Sequence, residues 1–336
     1  MHFTLGSILA LLVLLLMGAA LAAALLALYT ARVLTRPYRR TYASALAKGR
    51  PGDPGELPGP GGPRAFSSWE HQWGGERMPV WDIVGDDPAG PVILFSHGWG
   101  DSRIGGLSRA GALAPSASRL VLWDLPGHGE AGGSCALGTR EVAALRALIE
   151  AVDAQRPLVL YGWSLGAGVS IAAAAGPAPG TPRPTPPAAV IAEAPYRLPA
   201  TPARNVLRAW GLPYRVNLPL ALAGLGVRLG VGPSWRGFDR AALAARLPCP
   251  LLVIHGERDG VCPPEDGAAI ARAAPVGTLA LIPGGGHAGL WTDDSTAPRC
   301  QGAVRDFLAR ALNSEHAQQP RVPHQQPNTP AQQPHR

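Results

Sequence analysis

The sequence predicts an α/β fold in which a mostly parallel central sheet has helices on both faces and carries a short helical cap. From about residue 78, short apolar runs alternate with longer segments rich in Ala, Leu and Arg, the pattern of strands joined by helical crossovers. Short helix-like pieces separated by Pro and Gly interrupt this alternation at about 195–247, where a cap would be inserted. An apolar run near the amino terminus precedes the domain and predicts one transmembrane helix.

The amino-terminal run is long enough to cross a bilayer. Residues 5–29 carry no charge, and a helix of that length, at about 1.5 Å per residue, exceeds a hydrocarbon core of about 30 Å. A cleaved signal peptide is the alternative, but its apolar part is shorter and follows basic residues, whereas no Lys or Arg precedes this run. We therefore assign residues 1–30 to a single-pass membrane anchor.

A basic, Pro- and Gly-rich segment follows the anchor at residues 31–77. Six basic residues lie within about 20 residues of the anchor's carboxyl end, and the positive-inside rule then places the following domain in the cytoplasm; they are Arg32, Arg36, Arg39, Arg40, Lys48 and Arg50. The repeated Pro and Gly of residues 49–75 prevent helix and strand from propagating, so we expect this part to be a tether.

The folded domain is expected at residues 78–313. Its central strands are predicted at residues 92–96, 120–123, 158–161, 189–192, 251–255 and 279–282. Helices are predicted at residues 139–154, 165–175, 265–274 and 297–312. Residues 314–336 are rich in Gln and Pro and lack an apolar face, so we expect a disordered tail.

Composition excludes several classes of protein. Hydrophobic residues are 46% and charged residues 16% of the 336, too apolar a mixture for a chain that is disordered throughout. The net charge is +7, but the Arg residues are scattered and no basic run has interleaved aromatics, so we expect no nucleic-acid partner. The four cysteines lie far apart without a C-x-x-C pair, and free thiols are expected rather than a zinc site or disulfides: Cys135, Cys249, Cys262 and Cys300.

The segment GWSLG at residues 162–166 is a candidate nucleophile elbow. It follows the apolar run 158–161 and precedes an Ala-rich helix, which is the context that a G-x-S-x-G motif requires. Larger residues at Gly162 or Gly166 would collide with neighbouring backbone. A plain glycine-flanked turn is the alternative, but the strand–turn–helix context predicts that Ser164 is a nucleophile.

The segment HGWG at residues 97–100 ends another predicted strand and can supply an oxyanion donor. Gly98 and Gly100 allow the chain to approach a substrate, and the backbone N–H groups of Trp99 and Leu165 are the expected donors. For the side chain of His97 we expect structural hydrogen bonds rather than proton transfer.

A serine hydroxyl needs a base, and the base needs an orienting acid. Asp259 follows the run 251–255 and His287 follows the next predicted strand, so the chain order is Ser, Asp, His. The other histidines lie in the tail, before the domain, or, as His128 does, after a different strand. Glu257 and Glu193 are the alternative acids, and for Glu193 we expect a structural role.

These segments, together with DLPGHGE at residues 124–130, HGERD and GGGH, resemble the α/β-hydrolase superfamily, more specifically its serine aminopeptidase-like and membrane-tethered esterase-like branch. The resemblance covers about residues 78–312. It implies that Ser164 is the nucleophile, Asp259 the acid and His287 the base, with Trp99 and Leu165 as the oxyanion hole.

The resemblance also implies that Asp124 and His128 build the loop after the predicted strand 120–123. The chain departs from the family pattern at Cys262, which lies near the acid loop and is expected to serve packing rather than chemistry.

The expected activity is hydrolysis of a carboxylic ester or related acyl compound through an acyl-enzyme, with no metal or organic cofactor. A cap rich in Leu, Ala, Pro and Trp suits a small-to-medium apolar acyl group, and its only acidic residue is Asp239, which favours an ester over a peptide substrate. An acyltransferase or aminopeptidase on the same triad and a non-catalytic membrane scaffold are the alternatives. The sequence leaves the natural substrate and the oligomeric state open.

Overall fold

The computed structural model describes residues 5–176 and 186–318, and side chains within these ranges up to residue 313. The strands are β1 (Pro58–Gly59), β2 (Gly62–Pro63), β3 (Phe66–Trp73), β4 (Glu76–Val84), β5 (Val92–Ser96), β6 (Arg119–Trp123), β7 (Leu158–Trp163), β8 (Ala189–Glu193), β9 (Leu251–Gly256) and β10 (Gly277–Ile282). The helices are α1 (Leu5–Thr35), α2 (Tyr42–Leu46), α3 (Leu107–Leu113), α4 (Arg140–Val152), α5 (Leu165–Ala174), α6 (Ala200–Ala209), α7 (Asn217–Arg228), α8 (Arg240–Ala244), α9 (Pro264–Ala273) and α10 (Ala297–Gln318).

Eight strands form one sheet in the order β10-β9-β8-β7-β5-β6-β4-β3. The six strands from β5 to β10 run parallel, whereas β4 pairs antiparallel with β6 and β3 pairs antiparallel with β4. The strand order reverses on either side of β5, because β6 lies on one side of it and β7 on the other. In open α/β sheets a ligand site lies at the carboxyl ends of the strands beside such a reversal.

Helices cover both faces of the sheet, so its central strands are buried on both sides. Every residue of β5, β8 and β9 is buried. In β5, Val92 and Leu94 pack into one hydrophobic core while Ile93 and Phe95 pack into the other, as the alternation of side chains along a strand requires. The predicted α/β class with a mostly parallel sheet is confirmed.

The folded unit begins earlier than the sequence indicated. The expected start at residue 78 falls inside β4, and β3 lies within the segment expected to be a linker. Strands β3 and β4 form a hairpin across Gly74 and Gly75, whose φ angles of 60° and 79° suit a tight two-residue turn. The two glycines therefore connect a pair of strands rather than extending the tether.

The juxtamembrane segment also contacts the domain. The guanidinium of Arg39 donates to the carbonyls of Gly129 and Ala131 at 3.0 and 2.7 Å. Arg40 forms an ion pair with Asp101 at 2.7 Å. Two of the basic residues expected to mark membrane orientation thus hold the end of α1 against the α/β domain.

At the other end of the chain, α10 extends through Gln318, so residues 314–318 of the expected tail continue a helix. Residues 319–336, the rest of that expected tail, lie outside the described residues. Between β8 and β9 the insertion contains α6, α7 and α8 and forms the cap.

Candidate active site

Ser164 occupies a strained turn between β7 and α5. Its φ of 53° and ψ of −110° are unusual for a residue with a side chain, and its N–H donates to the carbonyl of Glu193 at 2.8 Å. A Cβ at Gly162 would lie 2.2 Å from the carbonyl oxygen of Gly166, and one at Gly166 would lie 2.0 Å from that of Ser96. Both glycines are therefore required sterically by the turn that presents the serine.

Asp259 and His287 come together at Ser164. Asp259 follows β9, His287 follows β10, and the His287 Nδ1 lies 2.8 Å from Asp259 Oδ2. The Nε2 of the same ring lies 3.1 Å from Ser164 Oγ. With a proton on Nδ1 donated to the carboxylate, Nε2 is free to accept the hydroxyl proton.

The carboxylate of Asp259 is held from several directions. Its Oδ1 accepts hydrogen bonds from the N–H groups of Val261 and Cys262, each at 2.8 Å. Burial by itself raises the pKa of Asp259, but hydrogen bonds from His255 and His287 outweigh burial and hold that pKa below its ordinary value. Asp259 is therefore an anion at neutral pH, as an orienting acid must be.

The two expected oxyanion donors lie at the same cavity as Ser164. Trp99 and Leu165 both line it, and in the part of the chain that the structure describes neither backbone N–H donates to a protein acceptor. Gly98 packs against the Trp163 ring, which a Cβ would approach to 2.9 Å, and Gly100 has a φ of 70°. The segment HGWG thus brings its backbone close to the serine because two of its residues lack side chains.

His97 has a structural position. It is fully buried, its Nδ1 donates to the carbonyl of Gly98 at 2.8 Å, and its Nε2 accepts from the N–H of Leu125 at 3.0 Å. Burial lowers the pKa of His97, so the ring is neutral. Its hydrogen bonds connect the loop after β5 to the loop after β6.

The loop after β6 is organised by a buried acid and a buried histidine. Asp124 accepts hydrogen bonds from the N–H groups of Arg103 and Glu130 at 2.7 and 2.8 Å, and it pairs with the Arg103 guanidinium. His128 packs edge-on against His97 with ring centroids 5.2 Å apart. These contacts match the loop-building role that the resemblance implied for Asp124 and His128.

The alternative acids lie elsewhere. Glu193 is fully buried and forms two hydrogen bonds with Arg109 at 2.7 and 2.5 Å, while the Tyr161 hydroxyl and the Trp291 indole donate to it at 2.8 and 3.0 Å. Glu257 is exposed and accepts from the N–H of Gly284. In the structure neither acid hydrogen-bonds to His287.

A cavity of about 150 Å³ opens at the nucleophile and is mainly apolar. Its walls come from the end of α1, from α6 of the cap and from the loops around the serine: Leu34, Leu137, Tyr196, Pro199, Pro202, Ala203, Val206 and Val261. Among the residues that the structure describes, none of those lining the cavity is Asp or Glu.

Three residues of the site had not been identified from the sequence. Leu34 lies in the segment 31–77 that was expected to be a basic juxtamembrane linker, but it continues α1, is 4% exposed and lines the cavity. The Trp163 indole donates to the carbonyl of His287 at 3.1 Å. His255, 3.3 Å from Asp259 Oδ2, supports the acid. Only Trp163 had a sequence signal, since it lies inside the G-x-S-x-G motif.

Asp259, Cys262 and His287 place ligand atoms within 4.8 Å of one another, a donor set that could hold a metal ion. Burial raises the pKa of Cys262 well above its ordinary value, so the thiol is protonated at neutral pH when no metal ion is bound. The imidazole and carboxylate, in addition, are hydrogen-bonded to each other. The three groups fit an acid–base pair beside a packed thiol better than a metal site.

Comparisons with known proteins identify the family and the fold. A family model described as the alpha/beta hydrolase family matches residues 93–298. An esterase from Pyrococcus furiosus superposes with a TM-score of 0.56 at 17% identity, over 74% of this chain and 91% of its own. No curated protein matches the sequence.

Two further solved structures are similar. A membrane phospholipase A described as a bacterial virulence factor has a TM-score of 0.56 at 18% identity, over 90% of this chain and 99% of its own. An esterase from Thermogutta terrifontis has a TM-score of 0.52 at 20% identity, over 74% of this chain and 98% of its own. At these identities, the likeness to solved structures concerns the fold.

Proposed function

The chain belongs to the alpha/beta hydrolase family, and on that basis we propose that it is a membrane-anchored serine hydrolase that cleaves a carboxylic ester. The observation that carries the proposal is the alignment of three groups: Ser164 Oγ is 3.1 Å from His287 Nε2, and His287 Nδ1 is 2.8 Å from Asp259. A nucleophile, its base and an orienting acid in this arrangement perform acyl transfer.

In the proposed reaction, Ser164 Oγ attacks the acyl carbonyl while His287 Nε2 takes the hydroxyl proton. The N–H groups of Trp99 and Leu165 donate to the oxyanion that forms, and the dipole at the start of α5 adds to their effect. The tetrahedral intermediate expels the alcohol, which receives the proton from His287 and leaves an acyl-enzyme. Water then gives a proton to His287 and attacks the acyl carbon, and the carboxylic acid is released as Ser164 regains its proton.

The cavity supports a short acyl group. Its volume is about 150 Å³, and an engineered protein cavity of about that size holds benzene, which has six carbons. The absence of a carboxylate from its described lining leaves the amine of a peptide substrate without a counter-ion, which favours an ester over an aminopeptidase substrate.

The membrane anchor rests on α1. It is the one described helix whose length and composition suit a membrane span, with a mean hydropathy of 2.9 over its most apolar window. The basic residues lie in the last turn of α1 and in the segment after it, and by the positive-inside rule the hydrolase domain faces the cytoplasm. Similarity to a membrane phospholipase A over 90% of the chain supports the membrane anchor itself. We keep residues 1–30 as the anchor and extend the hydrolase domain back to Phe66, where the sheet begins.

Labelling of the full-length protein in detergent by a fluorophosphonate probe tests the nucleophile. Ser164→Ala should abolish labelling, and His287→Ala should slow it by about a thousandfold or more, because the hydroxyl then lacks its base. Ser170→Ala is the matched control. Ser170 lies in α5 and is fully buried, and its hydroxyl has no hydrogen-bond partner among the residues that the structure describes.

Release of p-nitrophenol from esters of increasing acyl length, compared with release of p-nitroaniline from aminoacyl anilides, tests the substrate class. We expect turnover of the short esters and little of the anilides. A folded wild-type protein that takes up no probe would contradict the proposal and favour a non-catalytic scaffold. Faster consumption of the acyl-enzyme by added alcohol than by water would make the protein an acyltransferase.

A further inference from the structure

The anchor helix is longer than a bilayer requires. Its 31 residues extend about 46 Å at about 1.5 Å per residue, against a hydrocarbon core of about 30 Å. Residues 5–22 are all exposed, whereas Ala27, Thr30 and Leu34 are buried against the rest of the protein. The first charge of the helix is Arg32, so the contact with the protein begins within the apolar, charge-free part.

Cap helix α7 packs against this part of α1. At its start the Asn217 side chain donates to the Thr30 hydroxyl at 2.7 Å, and both residues are 2% exposed. Thr30 directly follows the apolar run of residues 5–29. The first turn of α7 therefore lies at the level where the span leaves the hydrocarbon core.

The outer face of α7 is apolar. Val216 is 61%, Leu220 50% and Val227 66% exposed, and the neighbouring Trp210 is 54% exposed. Single exposed apolar residues are ordinary, but these belong to one helix and the turn before it, beside a membrane span. No Asp or Glu lies in α7, and the exposed charges of α6, of the turn before α7 and of α7 itself are arginines: Arg204, Arg208, Arg215 and Arg228. An apolar face on a helix whose charged residues are all basic is the pattern of a helix that lies in a bilayer interface.

We propose that α7 and the turn before it lie in the membrane interface, so that the cap is a second membrane contact and the active site receives acyl esters resident in the bilayer. This inference rests on the proposed function, which includes α1 as a membrane anchor. Leu34, which lines the cavity, is one helical turn beyond Thr30, or about 6 Å along the axis. The cavity thus lies just beneath the level at which α7 meets the lipid.

Site-specific lipid contact in the full-length protein tests the proposal. Single cysteines introduced by Leu12→Cys, Leu220→Cys and Val276→Cys carry an environment-sensitive fluorophore, in vesicles of phosphatidylcholine and phosphatidylglycerol containing nitroxide-labelled lipid. The four native cysteines are buried, so unsubstituted protein serves as the labelling blank. Val276 is the matched control because it is apolar, 60% exposed and just before β10, at the edge of the sheet opposite the active site.

We expect nitroxides at the head group to quench the label at position 220 and nitroxides along the acyl chain to quench the label at position 12, which is about 27 Å along the helix from Thr30 and so still within a hydrocarbon core of about 30 Å. Neither should quench the label at position 276. Quenching at 12 but not at 220 would overturn the interfacial helix and leave the anchor intact. No quenching at 12 would contradict the anchor itself. If the label at position 220 is shielded from water to an extent that depends on protein concentration, and nitroxide lipid does not quench it, then the exposed face of α7 contacts a second copy of the chain and the proposal is overturned.

An activity measurement distinguishes the entry of substrate from the bilayer from the hydrolysis step itself. Leu220→Glu places a charge on the proposed lipid face, away from the residues of the cavity. Turnover of a vesicle-embedded ester should fall several-fold while turnover of a water-soluble short ester stays unchanged. Equal turnover of the embedded ester by Leu220→Glu and wild type would overturn the proposal, and loss of both activities would point to the catalytic machinery instead.

Discussion

The indole Nε1 of Trp99 donates a hydrogen bond to the backbone carbonyl of Leu34 at 2.9 Å. The donor belongs to the loop whose backbone N–H is proposed to bind the oxyanion, and the acceptor belongs to the last turn of α1. A carbonyl in the last turn of a helix has no partner within the helix, so the indole also satisfies a group that would otherwise be unpaired. The position of the loop that carries the proposed oxyanion donor therefore depends on α1.

Trp99→Phe keeps an aromatic ring and removes this hydrogen bond. We expect kcat for a short ester to fall about tenfold, since a buried hydrogen bond contributes about 0.5–1.5 kcal/mol, with KM little changed. Trp210→Phe is the control. The Trp210 ring lies 5.7 Å from that of Trp99, and its indole N–H makes no hydrogen bond within the described part of the chain. Equal losses of kcat in both variants would show that the hydrogen bond does not position the loop.

Leu34 sets the size of the acyl cavity. Leu34→Ala should shift the preference among p-nitrophenyl esters to longer acyl chains, and Leu34→Trp should reject all but the shortest, because the side chain forms part of the wall. For each methylene of the acyl chain that the altered cavity newly accepts or excludes, kcat/KM for that ester is expected to change by about tenfold or more. Leu28→Ala, on the same helix but 68% exposed, should leave the profile unchanged. An unchanged profile in the Leu34 variants would place the acyl chain elsewhere.

Glu193 holds the buried network behind the nucleophile. Glu193→Gln should reduce the free energy of unfolding by about 3–5 kcal/mol, because Arg109 then keeps a buried charge without its carboxylate. Urea unfolding in detergent measures this difference. Glu257→Gln changes an exposed acid and should fall within about 0.5 kcal/mol of wild type. A similar small effect at Glu193 would contradict the structural role.

Buried histidines should make stability depend on pH. Burial lowers the pKa of His128 to about 3 and also lowers the pKa values of His71 and His97, while an unfolded histidine titrates near 6.5. Below pH 6.5 the unfolded state therefore binds more protons than the folded state, so stability is present above that pH and is lost as the pH falls. For His128 the slope approaches about 1.4 kcal/mol per pH unit.

Urea unfolding in detergent between pH 6.5 and 5 measures this slope. His128→Phe keeps a ring of similar size and removes one titrating group, so the slope should decrease by up to about 1.4 kcal/mol per pH unit, whatever the variant's stability at neutral pH. An unchanged slope would assign the pH dependence to groups other than His128.

Sequence patterns predicted the six central strands because each is a continuous apolar run, and the family they indicated is confirmed. Ser164, Asp259 and His287 could be placed because each directly follows a predicted strand, and the carboxyl ends of parallel strands meet at one edge. Strand β3 was not predicted, because its residues are mostly polar and half of the hairpin lies in a Gly- and Pro-rich region.

No comparable sequence pattern indicated that the end of α1 packs against the α/β domain. The buried residues Ala27, Thr30 and Leu34 are spaced as one helical face, but the helix is apolar all round, so no periodicity distinguishes that face from lipid-facing positions. The support that His255 gives to Asp259 likewise depends on how the loop after β9 folds back, which local patterns do not report.

The docked end of α1 has a consequence for proteolysis. A cut between Thr30 and Leu34 would detach the domain from the segment proposed to span the bilayer and would also separate Thr30, with its hydrogen bond to Asn217, from the rest of the chain. Leu34 would stay with the domain, because Arg39 and Arg40 hold the residues that follow it. A released fragment would therefore keep the Leu34 wall of the cavity while its cap lost the support of α1.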